Sequence, residues 1–219
     1  MDEKNSSEIE GWLGENEAKL LYELARKCTG KGVVVEIGSW KGKSTIHLAK
    51  GSKAGKNIRV YAVDPHTGSR IQKEKFGKLW TFDEFKNNIK TAGLLDIITP
   101  IVKTSEEAAK EFKEPVELVF IDADHDYDMV KLDFELWYPK LVDGGIIVLH
   151  DTNNWPGPKK VAEEFIYKSN NFKNIRIVDS ITYAEKTTLF SSMDKIRNNS
   201  LFWLKQFYDC KQLLSNRFK

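Results

Sequence analysis

The stretch that decides the fold reads "VVVEIGSWKGKST", Val33 to Thr45. Three valines, the mark of a buried strand, run into Glu36 and then into a turn with Gly38 and Gly42 four residues apart. Gly38 can take a backbone conformation closed to other residues and so turn the strand sharply. Gly42 has no side chain, so a ligand is expected to approach the start of the helix that follows. A helix start presents free N–H groups and a partial positive charge, which suit a carboxylate or a phosphate. A dinucleotide-binding turn would read G-x-G-x-x-G. Here Trp40 stands where the second glycine would admit a pyrophosphate, so NAD and FAD are disfavoured.

Outward from this turn, short β-rich runs alternate with helical segments. "GVVVEIG", "IRVYAVD", "IITPIV", "VELVFIDA" and "GGIIVLHD" read as strands, and "NIRIV" with "ITYAEK" read as a final pair. Pro100 within "IITPIV" predicts an edge or bulged strand. Helical spacing covers 15–27, "KSTIHLAKG", 81–91, 106–112, "DMVKLDFELWYPKL", 158–168 and the tail from Met193. This alternation predicts an α/β fold: a doubly wound, mainly parallel sheet of seven strands with helices on both faces. One domain is expected, with a helical cap over 1–30, the core over 31–190 and a C-terminal helix over 191–219.

In such sheets ligands sit beyond the carboxyl ends of the strands, at the topological switch point. The strand-end residues are Glu36, Asp64, Lys103, Asp122 and Asp151, and four of these five are acids. The polar stretch 65–78 has no periodicity and is long for a loop, which points to function.

Composition narrows the rest. The 219 residues carry 34 basic and 32 acidic side chains, a balance that gives no reason to expect nucleic acid. The two cysteines, Cys28 and Cys210, have no metal-type spacing, and a reducing compartment is the default. "MDEKNSSEIE" lacks the apolar core of a secretory signal, and no apolar run reaches membrane-span length. The expectation is a cytoplasmic protein with a small-molecule substrate, no nucleic-acid partner and no membrane. The aromatic stripe Phe202, Trp203, Phe207 and Tyr208 on the terminal helix is expected to face the core or the partner in a homodimer.

"EIGSWKGKST" resembles the glycine turn of class I S-adenosylmethionine-dependent methyltransferases, whose pattern is E-x-G-x-x-x-G-x-S. Later motifs agree in order. "YAVDP" is similar to that family's second-strand acid, and "KTSEEAA" to its third-strand loop beside the adenine. "VFIDADHDYDMVKLDFELWYPKLVDGGIIVLHD" resembles small O-methyltransferases with Asp-x-Asp-His after strand four and His-Asp after strand five. The resemblance implies a Rossmann-like fold and S-adenosylmethionine as cofactor, held by Glu36, Gly38, Ser39, Gly42, Ser44, Asp64, Ser105 and Asp122. The cofactor's ammonium would face Glu36, its carboxylate the N–H groups of Ser39 to Lys43, its ribose diol Asp64 and its adenine Ser105. Ser105 also has the chemistry of a helix cap.

The resemblance further implies Mg²⁺ or another divalent cation on Asp122 and Asp151, since two carboxylates in one cleft need a cation or a shared proton. Thr152 follows Asp151 where many relatives have Asn or Asp, with Asn153 next in line as a substitute. A hydroxyl acceptor must lose its proton, and His125 and Asp124 are the expected catalytic bases. Strand alternation predicts that His150 points away from them, in a buried structural role. The stretches "HTGSRIQKEKFGKLW" and "TNNWPGPKK" are expected to flank the acceptor. The reading is a methyltransferase acting on a small-molecule hydroxyl of a sugar or natural product. A cofactor-binding protein without transferase activity would keep the Gly38 turn but need neither Asp122 nor Asp151.

Overall fold

The computed structural model describes residues 9–68 and 77–217, with side chains through Phe207. The described residues form seven strands: β1 Val33–Ile37, β2 Val60–Val63, β3 Ile98–Ile101, β4 Val116–Ile121, β5 Leu141–Leu149, β6 Phe172–Val178 and β7 Ile181–Lys186. They form one sheet in the order β3-β2-β1-β4-β5-β7-β6. The first five pair in parallel, and β7 runs antiparallel to both β5 and β6. Pro100 lies in β3, one of the two edge strands, where a missing N–H costs the sheet least. The helices are α1 Glu15–Lys27, α2 Lys43–Ala54, α3 Phe82–Thr91, α4 Ser105–Glu111, α5 Tyr127–Trp137, α6 Pro156–Val161 and α7 Ser192–Arg217. α6 runs on into a wider π-helical turn over Ala162–Tyr167.

Side-chain alternation on the strands decides which helix covers which face. Val35 and Ile37 of β1 pack with Ala108 of α4 and with Val130, Phe134 and Trp137 of α5. Val34 points the other way, onto Leu21 and Ala25 of α1, Ile46 and Leu48 of α2, and Phe85 and Ile89 of α3. Each fully buried side chain of this size stabilises the fold by about 1.5–3 kcal/mol. Both faces are therefore covered, as the continuous apolar strands require. α1 shares the second core and reaches α2 at Gly51, where an added Cβ would lie 2.1 Å from the Tyr22 carbonyl oxygen.

The tail stripe divides. Phe202 packs against the first core. Trp203 and Phe207 point outward, 69% and 74% exposed. Tyr208 lies beyond the described side chains, and 69–76 of the long loop also lie outside the described residues. No described helix is long and apolar enough to cross a membrane.

β1 is the switch point. The chain steps from it to β2 and β3 on one side, and returns to β4 and β5 on the other. The crossovers diverge there and leave a crevice at the carboxyl ends.

Candidate active site

A cavity of about 1350 Å³ fills that crevice. Gly38 makes its floor possible. Its φ is +88°, and an added Cβ would sit 2.4 Å from the Asp122 carbonyl oxygen, so the ends of β1 and β4 touch here. Ser39 follows on the wall, 1% exposed, and its hydroxyl has no hydrogen-bond partner among the described residues. Trp40 takes φ +47° and donates its N–H to Asp64 Oδ2 at 2.8 Å. Asp64 Oδ1 accepts the His66 N–H at 2.6 Å, so the carboxylate both caps its own turn and lines the cavity. Each oxygen keeps a further lone pair for a ligand.

Two residues of the turn differ from expectation. Gly42 is not on the cavity wall. It is the N-cap of α2 with φ +89°, and an added Cβ would meet Phe85 and Ile89 at 3.1 and 3.2 Å. Close packing of α3 and a left-handed backbone, not ligand access, require glycine there. Glu36 is also off the wall and fully buried. Alternation puts it on the Val34 face, where Thr45 donates to its carboxylate and Ser44 also bonds it. It supports the turn from beneath, and the wall acid beside Gly38 is Asp122. Ser44 does reach the cavity.

Burial pushes the Glu36 carboxyl up to about 8; the bonds from Ser44 and Thr45 oppose this, and the charges of Asp122 and Asp64 add to it. The folded protein therefore holds a proton that the unfolded chain releases first. Stability contributed by this proton is present below the ordinary value of 4.5 and is lost as pH rises towards about 8. Urea midpoints between pH 5 and 8 should accordingly fall more steeply for the wild type than for Glu36→Gln. Parallel slopes would contradict this.

Ser105 is the first residue of α4, and the cap is its neighbour Thr104, paired with Glu107 in a capping box. The Ser105 hydroxyl accepts the Trp137 indole N–H at 3.0 Å and bonds the Asp133 carboxylate. One lone pair is left facing the cavity for a donor such as an exocyclic amine.

The acids at the ends of β4 and β5 form a cluster around two histidines. His125 Nε2 lies 2.9 Å from Asp151 Oδ2. Its ring stacks on Trp155 at 4.5 Å, and its backbone is pressed by Gly157, whose added Cβ would lie 2.2 Å from the His125 carbonyl oxygen. Asp124 Oδ1 accepts the N–H groups of His125 and Asp126 at 2.7 and 3.0 Å, so it shapes this loop while lining the cavity. Asp151 takes φ +57°, a left-handed conformation that Asp tolerates better than most residues. Its other oxygen accepts from the Asn154 amide at 3.0 Å.

His150 does not turn away. It follows the last residue of β5, so strand alternation no longer governs it, and it sits on the cavity wall. Its Nδ1 lies 3.0 Å from Asp122 Oδ1 and 3.4 Å from Asp151 Oδ2, and its Nε2 lies 3.2 Å from Glu17 Oε2. Burial works against its charge, but the carboxylates outweigh burial and push it up to about 12. Burial likewise pulls Asp151 upward, yet bonds from His125, His150 and Asn154 hold it well below the usual carboxylate range.

Asp122, His125 and Asp151 each offer a ligand atom, all within 4.8 Å of one another. Thr152 turns instead to Ser180 and Thr182, and Asn153 donates to the Asp179 carbonyl, so neither joins the cluster.

A family model described as a methyltransferase domain matches residues 35–152, more than half of the chain. The chain belongs to this methyltransferase family. Solved structures share the methyltransferase's fold. The O-methyltransferase NovP superposes with a TM-score of 0.65 at 16% identity, over 80% of this chain and 81% of that one. TomG from Streptomyces achromogenes, an O-methyltransferase of tomaymycin synthesis solved with SAM, gives 0.60 at 18% identity, over 80% and 85%. The O-methyltransferase from Bacillus cereus in complex with SAH gives 0.58 at 21% identity, over 80% and 83%.

Sequence reasoning missed Glu17 and Ser180, both on the cavity wall, whereas Trp155 lies there within the stretch expected to flank the acceptor. Glu17 has the spacing of a helix-capping residue after Gly14, a signal that reads as purely local.

Proposed function

We propose that this methyltransferase transfers the methyl group of S-adenosylmethionine to a hydroxyl of a small molecule, a sugar or a natural product. The observation that carries this reading is convergence: Ser39, Asp64, Ser105 and Asp122 arrive from different segments on one cavity. Their chemistry fits the cofactor group by group. The unpartnered Ser39 hydroxyl and the N–H groups at the start of α2 suit its carboxylate. Asp122 suits its ammonium, Asp64 its ribose diol and Ser105 its adenine amine. The cofactor-bound relatives TomG and the Bacillus cereus enzyme support the assignment.

The reaction is an in-line displacement, for which the protein mainly supplies alignment. The acceptor oxygen forms a bond to the methyl carbon. The carbon–sulfur bond breaks, and its electron pair returns to the sulfonium sulfur. The acceptor's proton goes to His125. Asp151 accepts from His125 Nε2, which leaves Nδ1 with a free lone pair as the base. The His125–Asp151 pair favours an enzyme over a cofactor-binding protein without transferase activity.

A second reading rests on the three donors within 4.8 Å. Asp122, His125 and Asp151 would hold a divalent ion, and the imidazole among them favours Mn²⁺ or Zn²⁺ over Mg²⁺. When bound, such an ion lowers the pKa of an acceptor hydroxyl. The base reading is preferred because His150 already lies against the same Asp122 and Asp151 oxygens and offsets their charge.

Asp64→Ala should weaken S-adenosylhomocysteine binding by about 1–3 kcal/mol, the loss expected when a charged hydrogen-bond partner is removed. Isothermal calorimetry reads this directly. Unchanged affinity would remove Asp64 from the cofactor site.

A further inference from the structure

Glu17 belongs to α1, outside the matched methyltransferase domain, yet it is 4% exposed and stands on the cavity wall. Glutamates in the first turn of a helix usually cap that turn at the surface. Glu17 does bond the Gly14 N–H, at 2.9 Å, but this uses only part of its capacity. Oε1 accepts the N–H of Ser180 at 3.0 Å and its hydroxyl at 2.6 Å. Oε2 faces His150 Nε2 at 3.2 Å. These bonds hold Glu17 below the usual range, at about 2, although burial pulls it upward.

His150 is as confined as Glu17. Both ring nitrogens face carboxylate oxygens, Glu17 on one side and Asp122 with Asp151 on the other. The ring is 4% exposed and its orientation is fixed by its partners at both ends. A continuous chain of contacts therefore runs from Ser180 through Glu17 and His150 to the two acids, and from Asp151 to His125.

We propose that Glu17 is a positioning residue of the methyltransferase: through His150 it orients Asp122 towards the amino-acid end of the cofactor. The proposal rests on the S-adenosylmethionine reading and extends it to a helix that precedes the family's domain. Glu17 is not expected to touch the cofactor. It fixes the ring whose Nδ1 occupies Asp122 Oδ1, so that Oδ2 is left for the ligand. The same ring also contacts Asp151, the partner of the base.

Glu17→Gln nearly preserves shape. It removes a negative charge from beside the site and leaves His150 Nε2 without its carboxylate. Both changes weaken the hold on a ligand ammonium. The test compares two ligands by calorimetry. S-adenosylhomocysteine carries the amino-acid end, and 5′-methylthioadenosine lacks it. Affinity of Glu17→Gln for S-adenosylhomocysteine should fall by about 10-fold or more, the usual scale for outer partners of a binding group, while that for methylthioadenosine stays within about twofold. A general loosening of the fold would weaken both ligands alike. Side-chain ¹⁵N spectra should show the His150 ring signals shifted in the variant.

Where Glu17→Gln does not fold, Ser180→Ala serves. It frees Oε1 from the Ser180 hydroxyl and should weaken S-adenosylhomocysteine in the same selective direction. Equal losses for the two ligands, or no loss for either, would overturn the proposal. A wild type that binds neither ligand would overturn the cofactor reading itself, and that outcome is separate from any result on the variants.

Discussion

Replacing His125 with alanine is expected to lower turnover by about 10²–10⁴-fold, the usual contribution of a general base. The measurement is transfer of a labelled methyl group from S-adenosylmethionine to an acceptor that the wild type methylates. Affinity for S-adenosylhomocysteine should hardly change, because His125 bonds Asp151 and stacks on Trp155 rather than joining Ser39, Asp64 and Ser105. A variant with wild-type turnover would remove His125 from the chemistry. Chelation separates the two readings of the same cluster. If His125 is the base, extensive dialysis of the wild type against a chelator leaves turnover intact. If Asp122, His125 and Asp151 hold an ion, turnover is lost and returns with Mn²⁺ or Zn²⁺.

The second large effect is expected at Gly38. Gly38→Ala must place a methyl group 2.4 Å from the Asp122 carbonyl oxygen, and must do so at φ +88°. The backbone term alone costs about 1–2 kcal/mol, and forcing β1 away from β4 adds about 1–3 kcal/mol. Denaturant unfolding should show a loss of about 2–5 kcal/mol on these terms. The displaced strand end also carries Asp122 away from the cofactor, so S-adenosylhomocysteine affinity should fall with stability. Gly42→Ala is a useful contrast. Its added methyl group presses on the buried side chains of Phe85 and Ile89, at 3.1 and 3.2 Å, rather than on the backbone of β4, so strain appears without displacement of Asp122.

What the sequence reveals of this site follows distance along the chain. The β1 turn is local: valines, Glu36, Gly38 and Gly42 lie within a few residues, and the sharp turn at Gly38 is legible. The strand-end acids Asp64, Asp122 and Asp151 are legible because parallel strands all deliver their carboxyl ends to one edge. Glu36 and Gly42 read as ligand contacts in the sequence because nothing local tells which neighbour they meet. α3 decides Gly42, and the Val34 face of β1 decides Glu36. Strand alternation misplaces His150 because it does not extend one residue past Leu149, into a segment where Asp151 is left-handed. Glu17 was invisible because its partners are remote: His150 lies 133 residues away and Ser180 lies 163 away. Such contacts are set by packing of α1 on the sheet, which no short motif encodes.

Whether this cavity holds S-adenosylmethionine is read from calorimetric titration of the wild type with S-adenosylhomocysteine. Saturable binding to one site per chain is expected, weakened by Asp64→Ala, with no binding of NAD. Binding of NAD without S-adenosylhomocysteine would contradict the cofactor reading.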